Sequence, residues 1–338
     1  MILLGGSAVE LKQRTQQLQG WSEQRLLVCA DVEEGVGQRF EGASWLVPPL
    51  ALGRLHQREP ELALDLSERY GRCTGEQAHR CGLNWVLGPV CDVNNNPANP
   101  VINVRAWGED PNTASALALA FQRGLKQAGV LGCAKHFPGH GDTSSDSHLD
   151  LPVLPHSRER LEQIELPPFQ AAITAGVESV MTAHLVLPEL DPQQPATLSK
   201  AVLTDLLRRQ MRFNGLVVTD ALVMKAISAR HGAAEAAVLA FEAGADLILM
   251  PADADAAIDG LCEGFSSGRL PLERLEQSRQ RRAHALASIP TSTTSGPIVT
   301  AAEQGLEAEL VRHSITIGDA AVRPQAGINL VRVDAMVP

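Results

Sequence analysis

The sequence predicts an α/β fold, a (β/α)8 barrel, from three observations. Short apolar runs alternate along the 338 residues with helix-like stretches, and this alternation is typical of βαβ units that share one parallel sheet. Hydrophobic residues make up 44% of the chain, which is ample for a large core. Polar residues follow the ends of several apolar runs, as they do at the active face of such a barrel.

Apolar runs bounded by polar residues or glycine predict seven strands. They are Met1–Gly6, Leu26–Ala30, Leu83–Leu87, Val130–His136, Glu178–Thr182, Gly215–Thr219 and Asp246–Met250. A closed barrel of this class needs eight strands. Because the chain begins at Met1 within an apolar run, we expect a barrel that lacks its first strand.

The stretches between these strands are rich in residues that favour helices, above all alanine and leucine. They predict helices at Ser7–Gln19, Pro60–Arg80, Asn112–Ala128, Arg158–Ala175, Lys200–Arg212, Ala233–Ala243, Asp253–Ser267 and Leu270–Ser288. A kink is expected at Pro167–Pro168, because proline interrupts helical hydrogen bonding. The segment Gly88–Pro111, rich in asparagine, proline and glycine, predicts a long loop.

A composition change marks a domain boundary near the carboxyl end. Residues 1–288 form the predicted barrel domain, and the Ser/Thr/Pro-rich residues 289–300 are a predicted linker. Residues 301–338 contain a predicted helix, Ala301–His313, and a predicted strand, Ile328–Val333. The segment 301–338 is too short for a full domain. They are either a docking extension or the start of a truncated α/β second domain.

Composition also argues against several classes of partner and cofactor. The net charge is −10 and no basic run is present, which disfavours nucleic acid and anionic membranes. The six cysteines form no CxxC pair, and the glycine spacing does not match a dinucleotide-binding loop. No apolar stretch reaches membrane-spanning length and no secretory signal opens the chain. We therefore expect a cytoplasmic protein without cofactor that binds a small neutral or polar molecule.

The densest polar cluster lies in the stretch Gly132–Pro155, directly after a predicted strand. Pro138, Gly139 and Gly141 exclude a continuous helix there, so the cluster is placed on a loop at a strand end, where chemistry is often found. Seven titratable residues fall within sixteen positions of it: Lys135, His136, His140, Asp142, Asp146, His148 and Asp150.

Two features of this arrangement point to catalysis. Asp220 follows the predicted strand Gly215–Thr219 and has the position of a carboxylate nucleophile. Asp146 and His148 have the spacing of a carboxylate that orients an imidazole, which makes a usable general acid near neutral pH. Their loop is rich in glycine, serine and aspartate and has almost no apolar anchor, so we expect it to be mobile without ligand.

Other interpretations of these residues stay open at this point. A solvated surface loop would have the same composition. A metal site could use His136, His140, His148 and the nearby aspartates, although Lys135 would place a cation beside the ion. A serine nucleophile is disfavoured because the chain has no G-x-S-x-G elbow. Asp31, Arg105 and His184 also follow predicted strands, but a single aspartate at such a place is often only a helix cap.

These residues lie in strings that resemble glycoside hydrolase family 3, and in particular its bacterial β-N-acetylhexosaminidase branch. The most specific string is AKHFPGHGDTSSDSHLDLP. It is supported in consistent order by DVEEGVGQRF, VRAWGEDP, PATLS and GLVVTDALVMKAI. The likeness covers about residues 1–287. It implies a TIM-type barrel and retaining, exo-acting hydrolysis of terminal β-linked N-acetylglucosamine from peptidoglycan-derived fragments, without metal or cofactor.

The resemblance also implies roles for individual residues. Asp220 matches the family's nucleophile, and His148, paired with Asp146, matches the acid/base of this branch. The positions that match the family's sugar contacts are Asp31, Arg39, Arg105, Lys135 and His136. A small carbohydrate is therefore the expected partner, and the oligomeric state is not predicted.

Two departures from the family pattern leave alternatives open. The first loop usually reads D-x-E-G-G-R, but here Glu34 replaces a glycine and Val36 replaces the arginine. The family's first barrel strand also has no counterpart after Met1, so the chain is expected to be a fragment of a longer protein. A β-glucosidase, a glycoside phosphorylase or a non-catalytic sugar-binding fragment on the same scaffold are the alternatives.

Overall fold

The computed structural model describes residues 1–291 and 296–315, and its strands are short and parallel. The strands are β1 (Gly6–Ser7), β2 (Cys29–Ala30), β3 (Phe40–Glu41), β4 (Trp85–Val86), β5 (Cys133–Phe137), β6 (Ser179–Thr182) and β7 (Leu216–Val218). β2 pairs with β4, β5 with β6 and β6 with β7, while β1 pairs with β3. The predicted strand Ile328–Val333 lies outside the described residues.

Single β-bridges join these pairs into one row that follows chain order. Ile2 bridges to Cys29 at one end, Trp85 bridges to Leu131 in the middle, and Val218 bridges to Leu247 at the other end. The predicted strand Asp246–Met250 is thus reduced to one bridge, and the predicted strand Met1–Gly6 also contributes only a bridge, at Ile2. The expected α/β architecture of parallel βαβ units is present.

The row matches the seven predicted strands, but its closure into a barrel stays a prediction. It has seven parallel segments, and across residues 1–291 and 296–315 no β-bridge joins Leu247 back to Ile2. Ile2 and Leu247, at the two ends of the row, instead pack against one apolar cluster that includes Ala285 and Ile289, near the end of the helix Leu272–Ser288. Apolar packing, rather than a ladder of hydrogen bonds, therefore closes this side of the core.

Helices surround the row. They are α1 (Ala8–Trp21), α2 (Pro49–His56), α3 (Pro60–Arg80), α4 (Pro111–Gln127), α5 (Arg158–Arg160), α6 (Pro167–Thr174), α7 (Lys225–Ser228), α8 (Ala233–Ala243), α9 (Ala254–Ser266), α10 (Leu272–Ser288) and α11 (Ala301–Ser314). Two π-helices, Leu161–Glu165 and Ala201–Gln210, and three 3₁₀ turns, Val36–Gln38, Asn103–Arg105 and Ala196–Leu198, complete the elements. None of the helices in the described part of the chain is long and apolar enough to cross a membrane.

Most predicted helices are confirmed, with two instructive differences. Pro60–Arg80 and Ala233–Ala243 have the predicted bounds. The predicted helix Arg158–Ala175 consists of α5, a π-helix that ends at Glu165, and α6, which begins at the first of the two prolines. The sequence pattern predicts neither α2 nor the short α7; α2 begins at Pro49, where proline is favourable because the first helical N–H needs no helical partner.

α3 and α4 pack unusually closely, and this fixes the frame of the site. A Cβ atom on Gly71 would lie 2.0 Å from the carbonyl oxygen of Phe121, and one on Gly124 would lie 2.1 Å from the carbonyl oxygen of Glu68. Only glycine allows the two backbones to approach this closely. Because α3 leads into β4 and α4 leads into β5, the contact positions the strands that carry the polar cluster.

The segment after the predicted linker returns along the outside of the core. Leu306 and Leu310 of α11 are buried in the main apolar cluster. Glu303 pairs with Arg80 at the end of α3, and Glu309 pairs with Arg69 further back along α3. α11 is therefore antiparallel to α3 and ends toward the carboxyl ends of the strands. The predicted linker and domain boundary stay a prediction.

Candidate functional site

The carboxyl ends of β2, β5 and β7 bring distant polar residues to one face. Asp31 and Glu33 follow β2, Lys135 lies within β5, and Asp220 follows β7. The buried Lys135 Nζ donates to Asp31 Oδ1 at 2.7 Å and contacts Glu33 Oε1 at 2.5 Å. Parallel strands place their carboxyl ends at the same edge, and the predicted proximity of Asp31 and Lys135 is present.

Glu33 is the centre of a buried ion-pair network. Arg105 donates to both of its carboxylate oxygens, from Nε to Oε2 and from Nη2 to Oε1, each at 2.8 Å. Burial would raise the pKa of Glu33, but Arg105 and Lys135 hold that pKa well below its usual value. Glu33 is not among the residues that the sequence predicts for the site. The feature of the sequence that could have indicated Glu33 is its position two residues after Asp31 on the same loop.

Asp92 is a second buried carboxylate that is not among the predicted site residues. It lies in the long loop after β4 and has no exposed surface. Asp92 Oδ2 lies 2.7 Å from His136 Nδ1, and Oδ1 accepts from the backbone N–H of His140 at 2.6 Å. His136 Nε2 lies 3.5 Å from Arg105 Nη2, so Nδ1 is the ring nitrogen that donates a proton to Asp92. Asp92 therefore orients His136 toward the site.

Asp220 lies half-buried directly after β7. Its Oδ1 accepts from the backbone N–H of Ala221 at 2.8 Å. Burial would raise the pKa of Asp220, but His184, His136, the Ala221 N–H and Lys135 together hold that pKa below its usual value. The carboxylate is therefore ionised at neutral pH, as a nucleophile requires.

Asp146 and His148 form the contact that their spacing predicts. His148 Nδ1 lies 2.7 Å from Asp146 Oδ1, which also accepts from the His148 backbone N–H at 2.8 Å. The His148 side chain is 63% exposed. With Nδ1 held by the carboxylate, Nε2 is the ring atom that can exchange a proton with a bound molecule.

The loop that carries this pair is anchored by polar contacts. One buried amide, Asn99 Nδ2, donates to the carbonyl oxygens of His140, Gly141 and Thr143 at 2.8, 3.1 and 3.0 Å. The His140 ring lies between Thr143 Oγ1 and Ser147 Oγ. The loop thus has few apolar anchors, as expected, but it does have polar ones. Its mobility without ligand stays a prediction.

The far side of the loop is held by a charged cluster. One side-chain atom each of Asp142, His156 and Glu165 lies within 4.8 Å of the other two, and all three are atoms of a kind that can bind a metal ion. Arg160 Nη2 donates to Asp142 Oδ2 at 3.2 Å and to Glu165 Oε1 at 3.1 Å. The guanidinium group supplies the positive charge that these carboxylates need, so the cluster fixes the base of the loop.

The remaining predicted residues have separate surroundings. Arg39 is exposed, and its Nε donates to the backbone carbonyl of Asp31 at 3.3 Å. His184 is fully buried, with Nδ1 2.7 Å from Thr197 Oγ1 and Nε2 3.0 Å from the Ala221 carbonyl oxygen. The metal alternative needed His136, His140 and His148, with nearby aspartates, around one ion. Each of them has different partners, which does not favour a shared ion.

Comparisons with known proteins identify a matching family model and a curated relative. The model of the glycosyl hydrolase family 3 N terminal domain matches residues 4–285. "Beta-hexosaminidase A" of Pseudoalteromonas piscicida is 33% identical over 326 residues, which are 88% of this chain and 54% of that protein. The chain therefore spans about half the length of that relative.

Two solved structures have the same fold over most of the chain. A glycoside hydrolase family 3 β-N-acetylglucosaminidase from Paenibacillus sp. str. FPU-7 has a TM-score of 0.86 and 37% identity, and the match covers 93% of this chain and 62% of that one. The beta-glucoside phosphorylase BglX bound to 2FGlc has a TM-score of 0.85 and 27% identity, with 91% and 58% covered.

Proposed function

Because the chain belongs to glycosyl hydrolase family 3, we propose that it removes terminal β-linked N-acetylglucosamine from saccharides by retaining hydrolysis. The names of the relatives, a β-hexosaminidase and a β-N-acetylglucosaminidase, support this choice of sugar. The observation that carries the proposal is the ionised Asp220 at a strand end together with the exposed Asp146–His148 pair on a nearby loop. Ala226, shortly after Asp220, donates its N–H to the carbonyl of Ser147 on that loop at 3.4 Å.

In the first step, Asp220 attacks the anomeric carbon and the bond to the leaving oxygen breaks. His148 acts as the general acid and transfers its Nε2 proton to that oxygen. Asp146 supports this role because it accepts from Nδ1 and stabilises the imidazolium before transfer. The products of the step are a glycosyl ester on Asp220 and the free leaving alcohol.

In the second step, the neutral His148 acts as a base. Its Nε2 takes a proton from water while the water oxygen attacks the anomeric carbon, and the Asp220 carboxylate leaves. Two displacements at the same carbon restore the original configuration, so the product is the β-anomer. A histidine in place of the usual second carboxylate avoids repulsion between two negative groups.

Charged side chains beside Asp220 are suited to hold the sugar. Asp31, Lys135, Arg105 and His136 present donors and acceptors at the face where the strands end. Charge-assisted hydrogen bonds to hydroxyl groups are stronger than neutral ones. Arg39 is exposed at the edge of this face, and we assign it a contact at the outer side of the sugar.

We further infer that the natural substrates are peptidoglycan-derived fragments met in the cytoplasm. The resemblance of the AKHFPGHGDTSSDSH string to the bacterial branch supports this part of the proposal. Its test is turnover of a muropeptide-type disaccharide compared with a chitin-derived disaccharide. A strong preference for the chitin disaccharide contradicts it.

A second candidate reaction is phosphorolysis, in which phosphate replaces water in the second step. The similarity to the phosphorylase BglX supports it. Assays with p-nitrophenyl N-acetyl-β-glucosaminide and the corresponding glucoside, with and without phosphate, separate the candidates. Hydrolysis of the first substrate to the β-anomer without phosphate is the expected result. A requirement for phosphate, or preference for the glucoside, overturns the hydrolase assignment. No turnover of either substrate favours a sugar-binding fragment.

A further inference from the structure

His184 is a buried histidine beside the nucleophile, and it has no role in the reaction proposed above. Its ring has no exposed surface, and it lies two residues after the end of β6, the strand that pairs with β7. Nδ1 lies 2.7 Å from Thr197 Oγ1, and Nε2 lies 3.0 Å from the carbonyl oxygen of Ala221. Because both ring nitrogens are occupied inside the protein, His184 does not exchange a proton with a substrate. Any effect on the reaction must pass through Ala221 and the adjacent Asp220.

Two buried threonines connect His184 back to Asp220. Thr182 is the last residue of β6, and its Oγ1 lies 2.7 Å from Thr197 Oγ1. The backbone N–H of Asp220 donates to Thr182 Oγ1 at 3.4 Å. Neither threonine has any exposed surface. The contacts therefore run from the N–H of Asp220 through both threonines and the imidazole to the carbonyl of Ala221. We call this closed set of contacts the His184 network.

One arrangement of protons satisfies the His184 network. A carbonyl oxygen can only accept, so Nε2, which faces one, carries the ring proton. Burial lowers the pKa of His184, so the ring is neutral at pH 7 and Nδ1 accepts from the Thr197 hydroxyl. That hydroxyl can also reach the Ala183 carbonyl oxygen at 2.9 Å, but pointing there would leave Nδ1 and Oγ1 facing each other without a proton. Thr197 in turn accepts from the Thr182 hydroxyl, which accepts from the N–H of Asp220.

The Asp220 carboxylate has few other contacts that could direct it. Among the described residues, its one hydrogen bond comes from the backbone N–H of Ala221, which donates to Oδ1 at 2.8 Å. The Ala221 carbonyl also accepts from the N–H of Met224 at 3.0 Å, which begins a turn. A carboxylate that must form a bond to carbon needs a free oxygen, so a small number of hydrogen bonds suits it. Its direction must then come from the backbone that carries it.

We propose that His184 is a positioning residue for the nucleophile, and that the His184 network holds the Asp220–Ala221 peptide so that the free carboxylate oxygen faces the anomeric carbon. This proposal rests on the proposed function, in which Asp220 attacks. A displacement of about 1 Å at a reacting atom can cost about 100-fold in rate. Loss of His184 should accordingly slow the attack without weakening sugar binding, because the buried imidazole does not face the bound sugar.

The test compares two replacements of similar length, His184→Gln and His184→Met. Glutamine keeps an N–H donor for the Ala221 carbonyl, whereas methionine has none. For a disaccharide, we expect His184→Met to lower kcat about 100-fold and His184→Gln to recover about 10-fold of that loss. The Kd for N-acetylglucosamine should change less than about 2-fold in both variants. Equal kcat values for the two variants, or a rise in Kd as large as the fall in kcat, overturn the proposal.

A comparison of leaving groups separates positioning from proton transfer. A misdirected nucleophile slows attack on activated and natural substrates alike. His184→Met should therefore lower kcat/KM for a dinitrophenyl glycoside and for a disaccharide by factors that agree within about 3-fold. A loss confined to the disaccharide would make His184 part of the acid machinery and overturn the proposal.

Thr197 offers a second pair of variants that leaves the imidazole in place. Thr197→Val removes the hydroxyl that bonds to His184 and should lower kcat about 10-fold, whereas Thr197→Ser keeps it and should stay within about 2-fold. Thr74→Val is the matched control, because it removes another buried hydroxyl, which donates to the Tyr70 carbonyl within α3. It should lower the melting temperature and leave kcat unchanged. If Thr74→Val lowers kcat as much as Thr197→Val, the loss reflects stability and the proposal fails.

A spectroscopic measurement keeps the proposal separate from the proposed function. Nitrogen-15 NMR at pH 7 should show His184 as a neutral imidazole with its proton on Nε2. If the protein hydrolyses no glycoside but this tautomer is found, the His184 network stands and only the proposed function fails. If glycosides are hydrolysed but His184→Gln and His184→Met have equal kcat values, only the positioning proposal fails. A proton on Nδ1 overturns the His184 network whether or not the protein is active.

Discussion

Replacing Glu33 by glutamine removes one negative charge from between two cations without changing the side-chain shape much. Lys135 is 1% exposed, and both it and Arg105 contact the Glu33 carboxylate. Removing one partner of a buried ion pair leaves an uncompensated charge and costs about 3–5 kcal/mol. We therefore expect Glu33→Gln to lower the free energy of unfolding by about this amount, as measured by urea denaturation at pH 7.

Glu162→Gln is a matched control for this prediction. The Arg158–Glu162 pair has the same 2.8 Å separation as Arg105–Glu33, but its two side chains are 48% and 53% exposed, compared with 23% and 5%. Exposed pairs contribute less than about 1 kcal/mol. Equal losses of stability in the two variants would refute the argument that burial determines the cost.

The pH dependence gives a second check on Glu33. The pKa of Glu33 in the folded protein lies well below its usual value because of Arg105 and Lys135. Its contribution to stability is therefore complete above the unfolded pKa of about 4.3 and is lost as the pH falls through the folded pKa. The stability difference between the unsubstituted protein and Glu33→Gln should shrink on acidification below that value. A difference that stays constant down to acid unfolding contradicts the assignment.

Three other changes test the remaining machinery. Asp220→Asn should reduce turnover by more than about 1,000-fold with an unchanged melting temperature, and near-normal activity in the folded variant contradicts the nucleophile assignment. His148→Ala should harm a natural disaccharide about 100- to 10,000-fold more than a dinitrophenyl glycoside, with Asp146→Asn milder, whereas equal losses mean that His148 only positions the sugar. Asp246→Asn should lower the free energy of unfolding by about 3–5 kcal/mol at pH 7. The reason is that the fully buried Asp246 carboxylate pairs with Arg208, Arg274 and Arg281. A urea midpoint equal to that of the unsubstituted protein contradicts this prediction.

The sequence predicts much of the architecture because that part depends on local patterns. α3 and α8 follow from helical composition and have the predicted bounds. Strand lengths and ring closure depend on pairing between distant segments, and the predicted strand Asp246–Met250 accordingly forms only one bridge. A run of apolar residues shows that a segment is buried, but it does not show how many neighbours the backbone pairs with.

The same division applies to the site. Asp31, Lys135 and the Asp146–His148 pair are singled out through position and spacing, and in the structure Asp31 contacts Lys135 and Asp146 contacts His148. Glu33 and Asp92 are missed because their partners lie 72 and 44 residues away. Composition gives no sign that a carboxylate in an asparagine-rich loop will orient a histidine in a strand. Such supporting residues become visible only when the chain is folded.

Asn99 and its three hydrogen bonds to the loop, here called the Asn99 clamp, have a consequence for how the loop can move. One side chain holds three successive parts of the loop, at His140, Gly141 and Thr143, to the long loop after β4. Releasing it breaks all three bonds together, so opening there is all-or-none. Residues 144–150 lie outside the clamp and include the exposed His148. If the predicted mobility is confined to this outer arc, His148 can move while the clamped half of the loop keeps His136 and Asp92 in place.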